Sequence, residues 1–274
     1  MEAAEQVVES ALRAAGWDAA RQPFARGSNV VALRDGAERP ALAVLAHLDT
    51  VAGSGGADDN GSGVVALVEL ARLLAPFRLR RSVLLAAVDL EETGRFEGTE
   101  ALIHAFGDRL VGAIVFECLA YTDPRPNSQQ IPAGLGALYS GQLARAQAAH
   151  LAGTWTLVVY RSSGLPLARA FADGLAATAG ADAVLAVRDP LDLPLIGPIL
   201  PFMVPTVRHF ARSDHVALWR HGIPAIQVTD TANLRNARYH TAFDTPDGLD
   251  YPRLADTVVA TALAVCRLAG VVDQ

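Results

Sequence analysis

The sequence predicts an α/β domain in which helices cover both faces of a mostly parallel, mixed sheet, forming a three-layer sandwich. Strand-like and helix-like segments alternate along the chain, which is typical of this class. The runs at residues 82–89 and 111–117 are apolar apart from Ser82, Asp89 and Glu117 at their ends, as in strands buried on both faces. Neither a repeat nor a linker-like stretch interrupts the 274 residues, enough chain for one large core. We therefore predict a single domain spanning residues 1–274.

Periodicity and turn residues define the elements of the first half. Gly16 ends the first helix, Asp35-Gly36 marks a turn between two strands, and Pro76 follows the second helix. The predicted elements are a surface helix at 3–15, strands at 29–34 and 41–47, a helix at 61–75, a strand at 82–89, a helix at 97–106 and a strand at 111–117.

The second half continues the alternation between two loops. The predicted elements are a loop at 122–136, a strand at 156–160, a helix at 166–178, a strand at 184–187, a loop at 189–205, a short helix at 213–221, a strand at 223–229 and a closing helix at 251–268. The second loop contains five prolines among Leu, Ile, Phe and Met. Long ordered loops of this kind are commonly functional.

Composition excludes several classes of partner. The net charge is −6 and the basic residues are scattered, which argues against binding to nucleic acid. Apolar runs are of strand length, too short to span a membrane. The acidic, amphipathic first residues lack the features of a signal peptide, so we expect a cytoplasmic protein. Cys118 and Cys266 are predicted to be buried free thiols.

The glycine-rich stretch GGADDNGSG organises the chain. It places two adjacent carboxylates, Asp58 and Asp59, directly before the predicted helix 61–75, with Asn60 as a candidate N-cap. A carboxylate fixed at such a turn is well placed to hold a metal ion. The spacing to the GSG that follows favours Asp59 as the ligand and Asp58 as a turn residue.

Further polar residues lie where predicted strands end. His47 ends one strand, Glu117 ends another, Glu91 and Glu92 follow a third, and His240 lies in the loop after the last. Ligands of open α/β sheets bind outside the carboxyl ends of the strands, so these side chains should converge. Carboxylates avoid buried strand ends unless they are paired or metal-bound.

The residue types indicate the metal. Two histidines and three carboxylates, without a ligating cysteine, suit zinc, with cobalt or manganese as alternatives. Five ligands are one too many for a single tetrahedral ion. If Asp59 bridges, each of two ions receives three protein ligands and keeps an open position.

With these residues in place, the sequence resembles the co-catalytic di-zinc peptidases of the MH clan, a family that includes bacterial leucine-type aminopeptidases, glutamate carboxypeptidase II and glutaminyl cyclases. The resemblance covers most of the chain. Its motifs, in order, are HLDTV, GADDNGSG, DLEETG, SDHVALW and YHTAFDTPD. It implies the zinc-exopeptidase fold and two zinc ions per chain, with the ligand sets Asp59, Glu92, His240 and His47, Asp59, Glu117.

The resemblance also implies roles for other residues. Glu91 would be the general base, and Asp49 would orient His47. Many members have Asp where this chain has Glu117, which keeps the carboxylate but lengthens the side chain. Asp214 and His215 are expected either to cap a helix or to support the site or substrate. Asp244 is expected either to position the His240 loop or to cap a turn.

These features predict an aminopeptidase-type exopeptidase that acts on short peptides or aminoacyl amides. A glutaminyl-cyclase-like acyltransferase with one zinc, a carboxypeptidase or amidohydrolase, and a non-catalytic binding domain are the alternatives. An apolar first side chain is expected to contact the loop 189–205, with a wall formed by Leu193, Leu195, Ile199, Phe202 and Met203. Arg208 and Arg212 lie close by in sequence, so a pocket that binds a substrate carboxylate is an alternative. We expect a monomer or small homo-oligomer.

Overall fold

A computed structural model describes residues 1–272 and contains one eight-stranded mixed sheet. The strands are β1 (Asp18–Pro23), β2 (Ser28–Arg34), β3 (Glu38–His47), β4 (Arg81–Val88), β5 (Leu110–Glu117), β6 (Thr156–Tyr160), β7 (Val184–Arg188) and β8 (Ala225–Thr229). Their order is β1-β2-β4-β3-β5-β8-β6-β7. The central strands β4, β3, β5 and β8 run parallel to one another. The pairings of β1 with β2, of β2 with β4 and of β6 with β8 are antiparallel.

Helices cover both faces of the sheet, as predicted. They are α1 (Glu2–Ala14), α2 (Gly63–Leu74), α3 (Glu97–Phe106), α4 (Leu135–Leu138), α5 (Ser140–Ala148), α6 (Leu165–Ala179), α7 (Leu200–Met203), α8 (His215–Arg220) and α9 (Tyr251–Ala269). One core cluster lies between the sheet and α1, α2, α6 and α9. A second lies on the opposite face beneath α3, α4, α7 and α8. The predicted three-layer α/β sandwich is therefore confirmed.

The N-terminus of α2 is tied to the end of β5 by a single side chain. Asn60 Oδ1 accepts hydrogen bonds from the backbone N–H of Gly63 at 3.2 Å and of Cys118 at 3.2 Å. Asn60 Nδ2 donates to the carbonyl of Phe116 at 2.8 Å. Asn60 thus caps the helix, which begins two residues later than predicted. The same contacts fix the adjacent Asp59 relative to the neighbouring strand end.

Three local predictions were wrong. Strand β1 was not predicted because only Ala19 of its six residues is buried, so it lacks the alternation of a half-buried strand. Helix α5 was not predicted because only Ala146 of it is buried. Cys266, within α9, is a free thiol but is only half-buried. Cys118 is a buried free thiol, as predicted.

Within residues 1–272, no helix combines the length and apolar character needed to cross a membrane.

Candidate metal centre

The side chains predicted to converge lie together at the carboxyl edge of the parallel strands. His47 and Glu117 are the last residues of β3 and β5, which are adjacent in the sheet. Glu91 and Glu92 follow β4, the other neighbour of β3. His240 reaches the same edge from the loop after β8. The parallel register places these strand ends side by side, and the structure brings all five residues to one place.

Two groups of potential ligands share Asp59. In the first, His47 Nε2 lies 3.2 Å from Asp59 Oδ1 and 3.6 Å from Glu117 Oε2. In the second, His240 Nε2 lies 2.9 Å from Asp59 Oδ2 and 3.4 Å from Glu92 Oε2. Each group offers three ligand atoms within 4.8 Å of one another. One carboxylate oxygen of Asp59 faces each group, which is the arrangement a bridging ligand requires.

The polar atoms at this centre are not satisfied by the protein. His47 Nε2, both carboxylate oxygens of Asp59 and Glu92 Oε1 are buried, and within residues 1–272 none has a hydrogen bond of acceptable geometry. Buried polar atoms are otherwise almost always paired, and orphaned ones are costly. Imidazole nitrogens and carboxylate oxygens are suitable ligands for zinc. The residues present therefore fit two adjoining cation sites.

The electrostatics at the centre point to the same conclusion. Burial raises the pKa of Glu92 to about 8, and repulsion from Asp59 adds to the shift. Burial likewise raises the pKa of Glu91 well above its usual value, with Glu117 contributing. Burial alone would lower the pKa of His47, but Glu117, Asp49 and Asp59 raise it well above its usual value. So many carboxylates in a desolvated space favour a bound cation.

The comparisons with known proteins identify the family. Residues 29–160 and 200–265 match the family model described as peptidase family M28. The chain belongs to peptidase family M28. It is also 32% identical over 243 residues to the uncharacterized protein YfbL of Escherichia coli K12, with 84% of this chain and 68% of that protein covered.

Solved structures with the same fold include an aminopeptidase and a glutaminyl cyclase. LapB of Legionella pneumophila has a TM-score of 0.68 at 18% identity, with 97% of this chain and 65% of that chain covered. The aminopeptidase of Aneurinibacillus sp. AM-1 has a TM-score of 0.64 at 17% identity, with 90% and 49% covered. Glutaminyl cyclase of Porphyromonas gingivalis has a TM-score of 0.65 at 17% identity, with 96% and 88% covered. This M28 chain thus spans 65% of the length of the first of these structures and 49% of the length of the second.

In this M28 chain, Asp49 orients two elements of the centre at once. Its carboxylate accepts hydrogen bonds from the backbone N–H groups of Glu91 at 3.1 Å and Glu92 at 3.0 Å. His47 Nδ1 instead lies 3.0 Å from the backbone carbonyl of Asp49, and 3.7 Å from its carboxylate. Asp49 was predicted to orient His47, and its shorter contact to the imidazole is made by the main-chain carbonyl. The main chain of Asp49 orients the imidazole, and the carboxylate fixes the turn that carries Glu91 and Glu92.

Asp244 fixes the turn that carries Asp59, as Asp49 fixes the turn that carries Glu91 and Glu92. Its carboxylate accepts hydrogen bonds from the backbone N–H groups of Asp58 at 3.0 Å and Asp59 at 3.1 Å. The backbone at Gly55 packs so closely against the Asp244 carbonyl that a Cβ there would overlap it. Asp244 thus caps the Asp59 turn and ties it to the loop that carries His240, so both predicted alternatives hold together.

Replacing Asp244 with Asn should weaken zinc binding by about 10–100-fold, the loss typical of partners that orient metal ligands. The amide would present a donor to the N–H groups of Asp58 and Asp59, where the carboxylate now accepts. Zinc titration against a competing chelator measures the change. The matched control is Asp247→Asn, three residues away on the exposed surface, which should bind zinc as the wild type does. Equal affinity for both variants would contradict the positioning role.

Residues 213–215, at the start of α8, lie next to the centre. Ser213 Oγ donates to Glu117 Oε2 at 2.7 Å, a contact that sequence reasoning missed. Asp214 is buried and accepts from Thr99 Oγ1 at 2.6 Å. His215 Nε2 lies 2.9 Å from the carbonyl of Phe210, and burial lowers its pKa to about 4. Asp214 and His215 therefore contact structural partners, and neither lies in the two ligand groups.

An apolar cavity of about 140 Å³ begins at Glu117 and runs over the adjacent strands. Its apolar lining includes Leu135, Tyr139, Trp155, Leu157, Val187 and Phe210. The predicted wall from the loop 189–205 is absent from this lining. The side chains of Leu195, Phe202 and Met203 are 92%, 82% and 73% exposed. Helices α4 and α5 supply the wall instead, which the predicted loop 122–136 did not anticipate.

Proposed function

We propose that this chain is a metal-dependent exopeptidase that removes the first residue from short peptides or aminoacyl amides. The observation that carries the proposal is the pair of three-residue groups sharing Asp59, of which Glu117 also lines an apolar cavity. His47, Asp59 and Glu117 would hold one zinc ion, and Asp59, Glu92 and His240 would hold the other. A bound zinc pair would polarise the scissile carbonyl and make a water molecule more acidic.

Glu91 is the proposed proton carrier of the reaction. Its side chain is buried, and its backbone is fixed through Asp49. As general base, its carboxylate takes a proton from the attacking water, and it then returns that proton to the leaving amine. The C–O bond to the carbonyl carbon forms first, and the peptide C–N bond breaks when the amine leaves with that proton. Asp49 contributes by holding Glu91 and Glu92 in one orientation.

The two ligand groups differ in access to solvent, which supports recognition of a chain end. The His47 side chain is 1% exposed, whereas that of His240 is 33% exposed. Glu92, beside His240, is also partly accessible, at 14%. A free α-amino group entering from solvent therefore meets carboxylates at the open side. The substrate side chain then has the apolar cavity beside Glu117 available.

One observation favours a carboxypeptidase as the second candidate. Arg212 lines the cavity and is exposed, and its Nη1 lies 3.2 Å from Asn233 Oδ1. A guanidinium in this position could bind a substrate carboxylate. The experiment below also tests whether the chain is a cyclase-like acyltransferase.

A panel of aminoacyl anilides, with free and N-acetylated amino groups, tests the proposal. We expect the free substrates to be hydrolysed at least about 10-fold faster, because blocking removes the charge that the open carboxylates attract. C-terminally free acyl dipeptides and an N-terminal glutaminyl peptide complete the panel. Equal cleavage of blocked and free substrates would contradict an amine requirement. Activity confined to acyl dipeptides would identify a carboxypeptidase, and ring closure of the glutaminyl peptide would identify an acyltransferase.

A further inference from the structure

The floor of the apolar cavity carries one polar side chain that the protein leaves unpaired. Gln227, in the middle of β8, is 6% exposed and lines the cavity. The other buried polar side chains of the lining are hydrogen-bonded, namely Glu117, Gln129, Thr229 and Thr231. Within residues 1–272, no hydrogen bond is made by the Gln227 amide. The amide faces the cavity and is free to pair with a group that enters it.

The sheet register places Gln227 close to the metal centre. On β5 and β8, Glu117 pairs with Thr229 and Val115 pairs with Gln227. Gln227 therefore lies on the same face as Glu117, one strand across and two residues deeper. With ordinary strand spacing and rise, the two Cα atoms are about 8 Å apart. A substrate whose amino end sits at the centre must have a long side chain to reach the amide.

The surroundings of Gln227 define the chemistry of such a side chain. On the β6 side, Gln227 pairs in the sheet with Val159, and Leu157 and Val187 line the same space. These walls favour an apolar stem. The amide itself is uncharged and offers both a donor and an acceptor. A charged group would be desolvated among these apolar walls, whereas a neutral hydroxyl or carboxamide would satisfy the amide.

We propose that Gln227 is a specificity-determining residue that selects a long, uncharged first side chain ending in a hydrogen-bonding group, as in tyrosine or glutamine. The inference rests on the proposed exopeptidase function, because the amino end must lie at the metal centre. An apolar side chain of the same size fills the cavity but leaves the amide unpaired and without water. A site built around a buried polar group discriminates against ligands that cannot pair with it.

The test compares two matched pairs of aminoacyl anilides, tyrosine with phenylalanine and glutamine with methionine. Within each pair the two side chains have similar shape and differ at the hydrogen-bonding end. We expect the polar member to have a kcat/KM about 10-fold higher in at least one pair, the effect of one well-made hydrogen bond. The wild-type protein is sufficient for this measurement, so it does not depend on the folding of a variant.

Two variants assign the preference to the side chain. Gln227→Met removes the amide and keeps similar length, and it should abolish the polar preference. Gln147→Met makes the same change at an exposed position on α5 outside the cavity lining, and it should keep the wild-type ratio. Equal rates within both pairs for the wild type, or an unchanged ratio in Gln227→Met, would overturn the inference.

The failure of the proposed function gives a different result. If the zinc-loaded wild type released no aniline from any member of either pair, the exopeptidase proposal itself would fail. Hydrolysis of all four substrates without a polar preference would leave the exopeptidase standing and remove only the role of Gln227.

Discussion

Replacing Glu91 with Gln is expected to lower kcat by about 10²–10⁴-fold, the usual effect of losing a general base. Gln has the shape of Glu but cannot accept the proton from water. The substitution should not disturb the centre, because the backbone N–H of Glu91 still donates to Asp49 Oδ1 at 3.1 Å. Among residues 1–272, no hydrogen bond or ion pair involves the Glu91 carboxylate. Turnover of an aminoacyl anilide, with zinc content and melting temperature, measures the effect.

Glu92→Gln is the matched contrast at the next residue. Glu92 Oε2 lies 3.4 Å from His240 Nε2, within the second ligand group. We expect this variant to lose zinc, whereas Glu91→Gln keeps it, and we expect excess zinc to restore part of the activity only in Glu92→Gln. Near-normal turnover by zinc-loaded Glu91→Gln would show that another group is the base.

The central strands and the convergence of the site could be predicted from local pattern. Residues 82–89 and 111–117 are apolar apart from Ser82, Asp89 and Glu117 at their ends, as expected for strands buried on both faces. A carboxylate at the end of such a strand, as at Glu117, is improbable without a partner. Since parallel strands end at one edge, His47 and Glu117 had to meet there. The excess of ligands over one tetrahedral ion was compatible with a bridging Asp59, and the family resemblance implied its place in both ligand groups.

The residues that support the site could not be predicted in the same way. Ser213 contacts Glu117 across 96 positions of sequence, and no local pattern indicates that distance. Asp49 lies near His47 in sequence, yet its carboxylate binds the turn at Glu91 instead. Such choices depend on where two loops meet in three dimensions. Gln227 was unremarkable within an apolar strand until the sheet register placed it beside the centre.

The cavity walls were mispredicted for a related reason. The loop 189–205 is rich in apolar residues, which suggested a lining, but composition does not say which surface covers a side chain. Leu200 is 6% exposed, whereas Phe202, two residues later, is 82% exposed. The covering role belongs to the segment around Tyr139, whose hydroxyl donates to the carbonyl of Arg188 at 2.7 Å and fixes the wall against β7.

Zinc content after dialysis is expected to be close to two per chain in the wild type and below one in Asp59→Asn. Asp59 Oδ1 lies 3.2 Å from His47 Nε2, and Oδ2 lies 2.9 Å from His240 Nε2. Asparagine keeps one oxygen and presents an amide nitrogen, which is not a zinc ligand, to the other group. One site then loses a ligand, and both lose the negative charge that they share. Elemental analysis measures the loss.

Asp58→Asn is the control for Asp59→Asn, because both side chains are equally buried, at 1% exposure. The Asp58 carboxylate accepts hydrogen bonds from the backbone N–H of Ala120 at 3.0 Å and from Asn236 Nδ2 at 3.1 Å, and it lies in neither ligand group. We expect Asp58→Asn to lower the melting temperature but keep two zinc ions. Equal zinc loss in both variants would contradict the bridging assignment of Asp59. A fully active wild type that settles at one zinc would exclude the co-catalytic pair and favour acyl transfer at a single ion.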